Sequence, residues 1–199
     1  ATLTVSVAAN APVGPRTITV TNPDGQSSVS GSGIFSVQGG PPGSPFCFGD
    51  GSLATPCPCA NIGAAGHGCA NSADAGGAQL GSSGTTSPDT VVLAASGERP
   101  TAFTIFLQGD ANTSSGLIFG DGLRCADGTL VRLYAKNAVA GGVSAPQGGD
   151  PSITARSSAL GHPIAPGSSR YYQTYYRDPV AGFCPPATFN ASNAVQINW

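Results

Sequence analysis

Six cysteines constrain the fold of this chain more than any other feature of its sequence. Four crowd a Gly- and Pro-rich segment and two follow far downstream, in the order Cys47, Cys57, Cys59, Cys69, Cys125 and Cys184. An even number of cysteines in a chain with no methionine and one lysine is typical of disulfides formed in an oxidising environment. We therefore expect three disulfides and an extracellular or cell-surface location. Any export signal is expected to have been removed or to lie outside this sequence, since no basic and apolar leader precedes Ala1.

The cysteine spacing favours disulfides over zinc. One residue separates Cys57 from Cys59, which is tighter than the Cys-x-x-Cys pairs that wrap zinc, and the nearest histidine, His67, would need a distorted loop to join them. Two cysteines this close cannot form a relaxed bond with each other, so each should pair outward. Among the pairings that six cysteines allow, we favour Cys47 with Cys59, Cys57 with Cys69, and Cys125 with Cys184.

Charge is scarce in this chain. Charged residues make up 9% of it, against about 25% in typical globular proteins. The net charge is -2, and seven arginines and Lys136 are dispersed along the chain, so we expect neither nucleic acid nor anionic lipid as a partner. No stretch approaches the roughly 20 apolar residues that cross a bilayer, so we expect no membrane insertion. Low charge favours association with other copies of the chain or with polysaccharide.

Residues 1–38 read as strands of a small β-sandwich. Residues 2–7 and 17–21 alternate apolar and polar side chains, which is the period of a half-buried strand, and residues 34–37 would form a closing strand. The sequence Asn22-Pro23-Asp24-Gly25 predicts a turn between strands. Residues 39–46, rich in Gly and Pro, are interpreted as a linker. The apolar residues expected on the inward faces are Leu3, Val5, Val7, Ile18 and Val20.

The run from Ala11 to Ser27, which reads APVGPRTITVTNPDGQS, resembles the second half of an IPT/TIG immunoglobulin-like domain. This resemblance implies an Ig-like β-sandwich of the kind found in adhesins and cell-surface proteins, here without its opening strands. A sheet that lacks strands has unpaired backbone donors and acceptors, so we expect another copy of the chain to complete it. The predicted assembly edge consists of Leu3, Val5, Val7, Ile18 and Val20.

Residues 47–199 read as a disulfide-stabilised β-sandwich or jelly roll, because many short strand patterns alternate with Gly, Pro and Asp turns and no helical periodicity is seen. Trp199 is expected to be buried on the same face as Val195 and Ile197. The fold class is therefore all-β. The predicted strands are residues 90–95, 102–108, 116–119, 129–135, 152–156, 169–177 and 194–199.

Six segments in this part carry aromatic, Gly-Asp and Cys residues, at positions 46–51, 57–59, 68–71, 119–125, 175–178 and 183–184. Together they resemble a cysteine-bearing C-terminal module of large secreted bacterial proteins that has no assigned activity. The resemblance implies secretion more than any particular function.

Residues that could carry catalysis are few. His67 and His162 are the only histidines, and neither belongs to a nucleophile or metalloprotease motif. Glu98 is the only glutamate, whereas sugar hydrolysis by acid and base normally needs two carboxylates at a fixed separation, and no Asp pair stands out. We therefore predict that the protein is not an enzyme and uses no cofactor.

The sequence Phe-Gly-Asp-Gly occurs twice, at residues 48–51 and 119–122. Asp50, Asp121 and Asp127, together with Asp110, are weak candidates for calcium ligands, because calcium sites take carboxylates from loops. No Asp-x-Asp-x-Asp spacing accompanies them. We therefore favour two Asp-Gly turns flanked by aromatic side chains, and no metal site.

Four tyrosines lie on one predicted strand. Alternation puts Tyr171 and Tyr175 on one face of the strand and Tyr172 and Tyr176 on the other. One pair should lie in the core, and the other is a candidate ligand face that stacks on sugar rings or on a neighbouring subunit. Asn112 and Asn190 each begin an Asn-x-Ser/Thr glycosylation sequence, of which chance matches are common in so polar a chain.

Three functions remain in view, and the third, an extracellular hydrolase, is discounted, so substitution of His67 and His162 is expected to leave any activity untouched. The favoured hypothesis is an extracellular structural subunit that self-assembles into a filament or surface layer through β-strand complementation between copies. The alternative is a carbohydrate-binding or adhesion module that uses the tyrosine face and the Asp-Gly loops.

Overall fold

A computed structural model describes residues 14–17, 19–21, 23–29, 35–37 and 41–199. The chain forms two compact units, Ala1–Gly40 and Pro41–Trp199. The first unit contains strands β1 Gly14–Arg16, β2 Thr19–Thr21, β3 Ser27–Val29 and β4 Phe35–Val37. β1 pairs antiparallel with β4, and β2 with β3, in two separate two-stranded sheets.

The predicted assembly edge falls mostly outside the described residues, where Leu3, Val5, Val7 and Ile18 lie. Val20, on β2, is described, and its relative exposure of 56% contradicts the prediction that it faces inward. Strands of three residues in a two-stranded sheet offer too little apolar surface to bury a face.

The second unit is built from antiparallel sheets. A five-stranded sheet has the order β11-β8-β13-β14-β5, and a three-stranded sheet has the order β12-β7-β6. A further pair, β9 and β10, forms a hairpin. The elements are β5 Gly43–Phe46, β6 Gln79–Ser83, β7 Val92–Ser96, β8 Phe103–Gly109, β9 Ala111–Phe119, β10 Gly122–Asp127, β11 Val131–Asn137, β12 Val143–Ala145, α1 Ile153–Ala159, β13 Ser169–Arg177 and β14 Phe189–Asn198.

The two larger sheets enclose the main core. Alternate side chains of the five-stranded sheet pack against alternate side chains of the three-stranded sheet, as expected for a sandwich. Trp199 is partly buried against this core and donates its Nε1–H to the Tyr172 hydroxyl at 3.0 Å. The fully buried residues include Leu80, Leu93, Phe106, Leu133, Tyr172, Tyr176, Val195 and Ile197. The predicted all-β class is confirmed.

The β9–β10 hairpin packs on the opposite face of the five-stranded sheet, chiefly against β13 and β14. The buried amide of Gln173, on β13, donates to the carbonyls of Leu123 and Ser192 at 2.7 and 2.6 Å and accepts from the Cys125 N–H at 3.0 Å. The Cys47–Cys125 disulfide adds a covalent link between this hairpin and the residue that follows β5. The hairpin therefore covers one part of the face and leaves the part formed by β8 and β11 open.

The three predicted disulfides are only partly right. The observed pairs are Cys47–Cys125, Cys57–Cys69 and Cys59–Cys184, so the predicted Cys47–Cys59 and Cys125–Cys184 bonds are wrong. The Cys57–Cys69 bond closes a local loop, which sequence spacing can identify. The other two join segments that only the packing of the hairpin and the β13–β14 connection brings together. Three disulfides fit an oxidising environment.

Two segments were assigned to the wrong type of element, and the strands β6, β10 and β12 were not predicted. Residues 152–156, predicted as a strand, begin the short helix α1, whose N-cap Ser152 accepts from the Ala155 N–H through its hydroxyl. Seven helical residues are too few to show a clear 3.6-residue period. Gly43–Phe46, assigned to the linker, forms β5 at the sheet edge, paired with β14. A side chain at Gly43 would lie 2.2 Å from Val195, so glycine here permits close packing.

Within the described ranges, no helix combines the length and apolarity needed to cross a membrane.

Removing the Cys47–Cys125 bond by a double alanine substitution should lower the free energy of unfolding by about 4 kcal/mol, because the bond closes a 78-residue separation. Denaturant unfolding measures this loss, and hydrogen exchange should show the β9–β10 amides losing protection first. The matched control removes Cys57–Cys69, with a separation of 12 residues, and should leave protection of the hairpin unchanged. Equal loss of hairpin protection in both variants would contradict the assignment.

Candidate functional site

The open part of the five-stranded sheet carries apolar side chains that face away from the core. On β8, Phe103, Ile105 and Leu107 alternate with core-facing residues such as Phe106. Phe103 is 47% exposed, whereas Ile105 and Leu107 are buried. β8 lies between β11 and β13, so these side chains form the floor of a surface trough.

Three aromatic rings form a compact cluster at one wall of the trough. Phe119 lies edge-to-face against Tyr175 and Phe189, with ring centroids 5.4 and 4.9 Å away. Tyr175 and Phe189 are also edge-to-face, at 6.2 Å. All three rings are half-buried, so each keeps some surface toward solvent. Mutual edge-to-face contacts fix the rings in place.

The second Phe-Gly-Asp-Gly turn positions Phe119 in this cluster. Gly120 has φ +65°, and a side chain there would lie 2.3 Å from the Phe189 carbonyl. The Asp121 N–H donates to the same carbonyl at 2.9 Å. The turn therefore docks the tip of the hairpin against the start of β14, as an Asp-Gly turn with an aromatic neighbour.

Two cavities occupy the trough. The larger has a volume of about 580 Å³ and the smaller about 210 Å³. Arg132 and Tyr175 line both, so the cavities meet at these two side chains. The larger is lined by Leu107, Phe119, Leu130, Val131, Arg132, Leu160, His162 and Tyr175. The smaller is lined by Phe103, Ile105, Arg132, Tyr175, Tyr176, Arg177 and Phe189.

The four tyrosines of β13 do not form one ligand face. Tyr172 and Tyr176 have no exposed surface, which agrees with the prediction that one pair lies in the core. Tyr171 lies edge-to-face against Phe46 at 5.8 Å and lines neither cavity. Only Tyr175 combines partial exposure with a place at the centre of the trough.

A buried carboxyl lies behind the sheet at Glu98, which is 3% exposed. Hydroxyls of Thr104 and Thr174 donate to its two oxygens, the second at 3.2 Å. Burial raises its pKa to about 7, against the lowering effect of these hydrogen bonds. Glu98 lines neither cavity of the trough, so its role is in the interior.

Two further carboxyls are buried near the β13–β14 end. Asp178 accepts from the backbone N–H and the hydroxyl of Ser72 and pairs with Arg99 at 3.5 Å. Asp121 is 1% exposed, and its Oδ1 has no hydrogen-bond partner. Burial, and then the charge of Asp178, raise the pKa of Asp121 to about 6.

The weak calcium candidates are not brought together. Asp50 accepts from the N–H groups of Ser52 and Gly66, Asp110 accepts from the Thr129 N–H, and Asp127 pairs with Arg124 at 3.4 Å, so each has separate partners. Asp121 lies in the docked turn described above. Across the described part of the chain, no group of three His, Cys, Asp or Glu side chains has a metal-binding arrangement.

The two glycosylation sequences have opposite environments. Asn190 is fully buried and its Nδ2 donates to the Ala70 carbonyl at 2.8 Å, so a glycan there is incompatible with the fold. Asn112, on β9, is exposed. His67 is held by a 2.8 Å hydrogen bond between its Nδ1 and the Gly77 carbonyl, whereas His162 lines the larger cavity.

Sequence reasoning missed most of the trough. Arg132, Phe189 and His162 carried no motif, and Phe119 was recognised only as an aromatic neighbour of a turn. The signal available for Arg132 was its exposed polar position between the apolar residues Val131 and Leu133 of β11. Its partners across the sheet follow only from the strand order.

No protein-family model matches this chain, and comparisons with curated proteins and with solved structures likewise find no match. The resemblances to the IPT/TIG domain and to the cysteine-bearing module therefore stay predictions.

Glu98 should make the protein less stable as pH rises through the weakly acidic range. A glutamate carboxyl in water has a pKa of 4.5, and in the folded protein that of Glu98 is about 7, so the folded state binds the proton more tightly between these values. The free energy of unfolding should therefore fall by about 3 kcal/mol from pH 4.5 to pH 7 on account of this group. Denaturant unfolding at a series of pH values measures the slope.

Glu98→Gln should reduce the fall in the free energy of unfolding with rising pH. The fall that remains should come from Asp121, whose pKa is also raised. Asp50→Asn is the control, because Asp50 should affect stability in the opposite direction. Hydrogen bonds from Ser52 lower the pKa of Asp50, so the stabilisation that its carboxylate provides is lost only as pH falls. A Glu98→Gln variant with the wild-type slope between pH 4.5 and 7 would contradict the assignment.

Proposed function

We propose that this protein is an extracellular carbohydrate-binding module whose ligand lies in the trough. The observation that carries the proposal is the half-buried ring cluster of Phe119, Tyr175 and Phe189, two rings of which, Phe119 and Tyr175, line a cavity of about 580 Å³. That volume is within the range of about 300–1,000 Å³ typical of ligand sites.

The chemistry of the trough suits a sugar. A sugar ring has apolar C–H faces and polar hydroxyls, so it fits a surface that offers aromatic rings beside hydrogen-bonding groups. Within the described residues, the Tyr175 hydroxyl and the Arg132 guanidinium make no hydrogen bond or ion pair, and both line the two cavities. These groups are therefore available to a ligand without breaking an internal contact.

The scaffold supports binding with little rearrangement. Tyr175 is on β13, a strand with paired neighbours on both sides, and Phe119 is fixed by a hairpin that a disulfide ties to the sheet. Rigid aromatic side chains lose little conformational entropy when a ligand binds. Three disulfides favour the extracellular location that such a ligand requires.

Tyr175→Ala should weaken glycan binding by about tenfold or more, because the variant removes the ring at the junction of the cavities. Tyr171→Ala is the matched control, since Tyr171 lies on the same strand and face but contacts Phe46 outside the trough. A glycan array followed by calorimetry on the best ligand provides the measurement. Absence of binding to any glycan, or equal losses in the two variants, would overturn the proposal.

Self-assembly through the first unit is a second candidate. The exposure of Val20 favours it, because β2 has β3 as its one partner among the described residues, and an apolar side chain beside such an edge is a template for pairing with another copy. The filament or surface-layer hypothesis rests on this edge.

If copies pair through this edge, light scattering coupled to size exclusion should show a mass that grows with protein concentration. Val20→Lys should reduce that growth, because a lysine on a strand edge opposes pairing. Val180→Lys is the control, since Val180 is 40% exposed in the second unit. A wild-type protein that stays monomeric at every concentration would exclude self-assembly.

A further inference from the structure

The trough extends beyond its two cavities. A third cavity, of about 270 Å³, adjoins the smaller one, because Phe103 and Arg177 line both. The three cavities thus form one continuous path: the first two share Arg132 and Tyr175, and the last two share Phe103 and Arg177. A path of this kind fits a chain-like ligand better than a single small molecule.

The lining of this path has one sign of charge. Arg132, Arg177 and Arg99 line it together with His162, and no Asp or Glu is among the lining residues of the three cavities. The protein as a whole has ten acidic and eight basic residues and a net charge of -2. Three of the eight cations, dispersed in the sequence, are therefore gathered along the trough, and the carboxylate that pairs with one of them, Asp178, is fully buried.

Two of these arginines are not neutralised from within the protein. Across the described residues, Arg132 makes no ion pair, and Arg177 donates to the Thr188 hydroxyl at 2.8 Å instead of to a carboxylate. Other cations are compensated, such as Arg99 by Asp178 at 3.5 Å and Lys136 by Asp150 at 2.6 Å. Among the described residues Arg156 and Arg170 also make no ion pair, but both donate to backbone carbonyls and line none of the three cavities. Arg132 and Arg177 are therefore the uncompensated arginines that line the trough.

The two arginines are spaced along the sheet. Arg132 is paired with Leu107, and Tyr176, next to Arg177, is paired with Thr104. Thr104 is three positions from Leu107 along β8 and Arg177 lies one position further, so the two arginines are about 13 Å apart along the strand direction. Tyr175, paired with Ile105, lies between them in the strand register, and Phe103 lines the same cavity. The trough therefore presents separated positive groups with stacking surfaces in between.

We infer that the ligand is an acidic polysaccharide, one that carries carboxylates at intervals along its chain. This inference rests on the proposed carbohydrate binding and specifies its substrate class. The anionic groups pair with Arg132 and Arg177 while sugar rings stack on the aromatic side chains, and guanidinium–carboxylate pairs are among the stronger hydrogen bonds. Nucleic acid is disfavoured because two uncompensated arginines are few for a polyanion that is bound through many phosphates.

The test compares a polyuronate with an uncharged polysaccharide of similar length, by calorimetry on the full chain. The polyuronate should bind at least about tenfold more tightly at low salt, and its affinity should fall as salt rises. Arg132→Gln and Arg177→Gln should each weaken polyuronate binding by about tenfold and weaken binding of the uncharged polymer less, so that the preference for the polyuronate falls. Arg132 is exposed, and thermal unfolding would confirm that each variant is folded.

Arg170→Gln is the matched control, because Arg170 lies on the same strand as Arg177 but donates to the Ser169 and Pro163 carbonyls outside the trough. Its binding of polyuronate should equal that of the wild type. An equal loss with Arg170→Gln would overturn the inference, as would tighter binding of a single-stranded nucleic acid than of polyuronate.

The outcomes separate this inference from the proposed function. If uncharged and acidic polymers bind equally and Tyr175→Ala weakens both, carbohydrate binding stands and the preference for acidic polymers is wrong. If neither polymer binds, the preference for acidic polymers is wrong, and the glycan array then decides whether carbohydrate binding is wrong as well.

Discussion

One buried amide holds together the layers on which the candidate site depends. Gln173 projects from the centre of the five-stranded sheet, and its side chain bonds to the hairpin at Leu123 and Cys125 as well as to β14 at Ser192. Because the N–H groups and the oxygen of this buried amide all have partners, Gln173 fixes the hairpin and β14 relative to each other. Loss of the amide would leave buried backbone groups without hydrogen bonds, which costs stability. The position of the hairpin then determines where Phe119 lies, and so where the trough begins.

The strands of the second unit were predictable where alternation is strong. β13 was predicted with its observed bounds, because its tyrosines alternate between core and surface. β6 and β10 were missed since their sequences are rich in small and polar residues, and β5 was missed because Gly and Pro are typical of linkers. The helix α1 has seven residues, too few for a helical period to be distinguished from that of a strand.

The candidate site was predictable only in part. Tyr175 was placed on a possible ligand face by alternation, but whether it or Tyr172 faced the core depended on the second sheet. The sequence shows no cluster of basic residues, but that holds only for residues that are neighbours along the chain. Arg132 and Arg177 are 45 positions apart, and they line one cavity because β8 lies between their strands. Strand order is a property of tertiary packing, which local patterns do not encode.

The connectivity of the disulfides has a consequence for survival among extracellular proteases. Cys47–Cys125 and Cys59–Cys184 span overlapping stretches of the chain. Any single peptide-bond cleavage between Cys47 and Cys184 therefore leaves the two fragments covalently joined. The long irregular connection between β5 and β6 can thus be nicked without release of either piece.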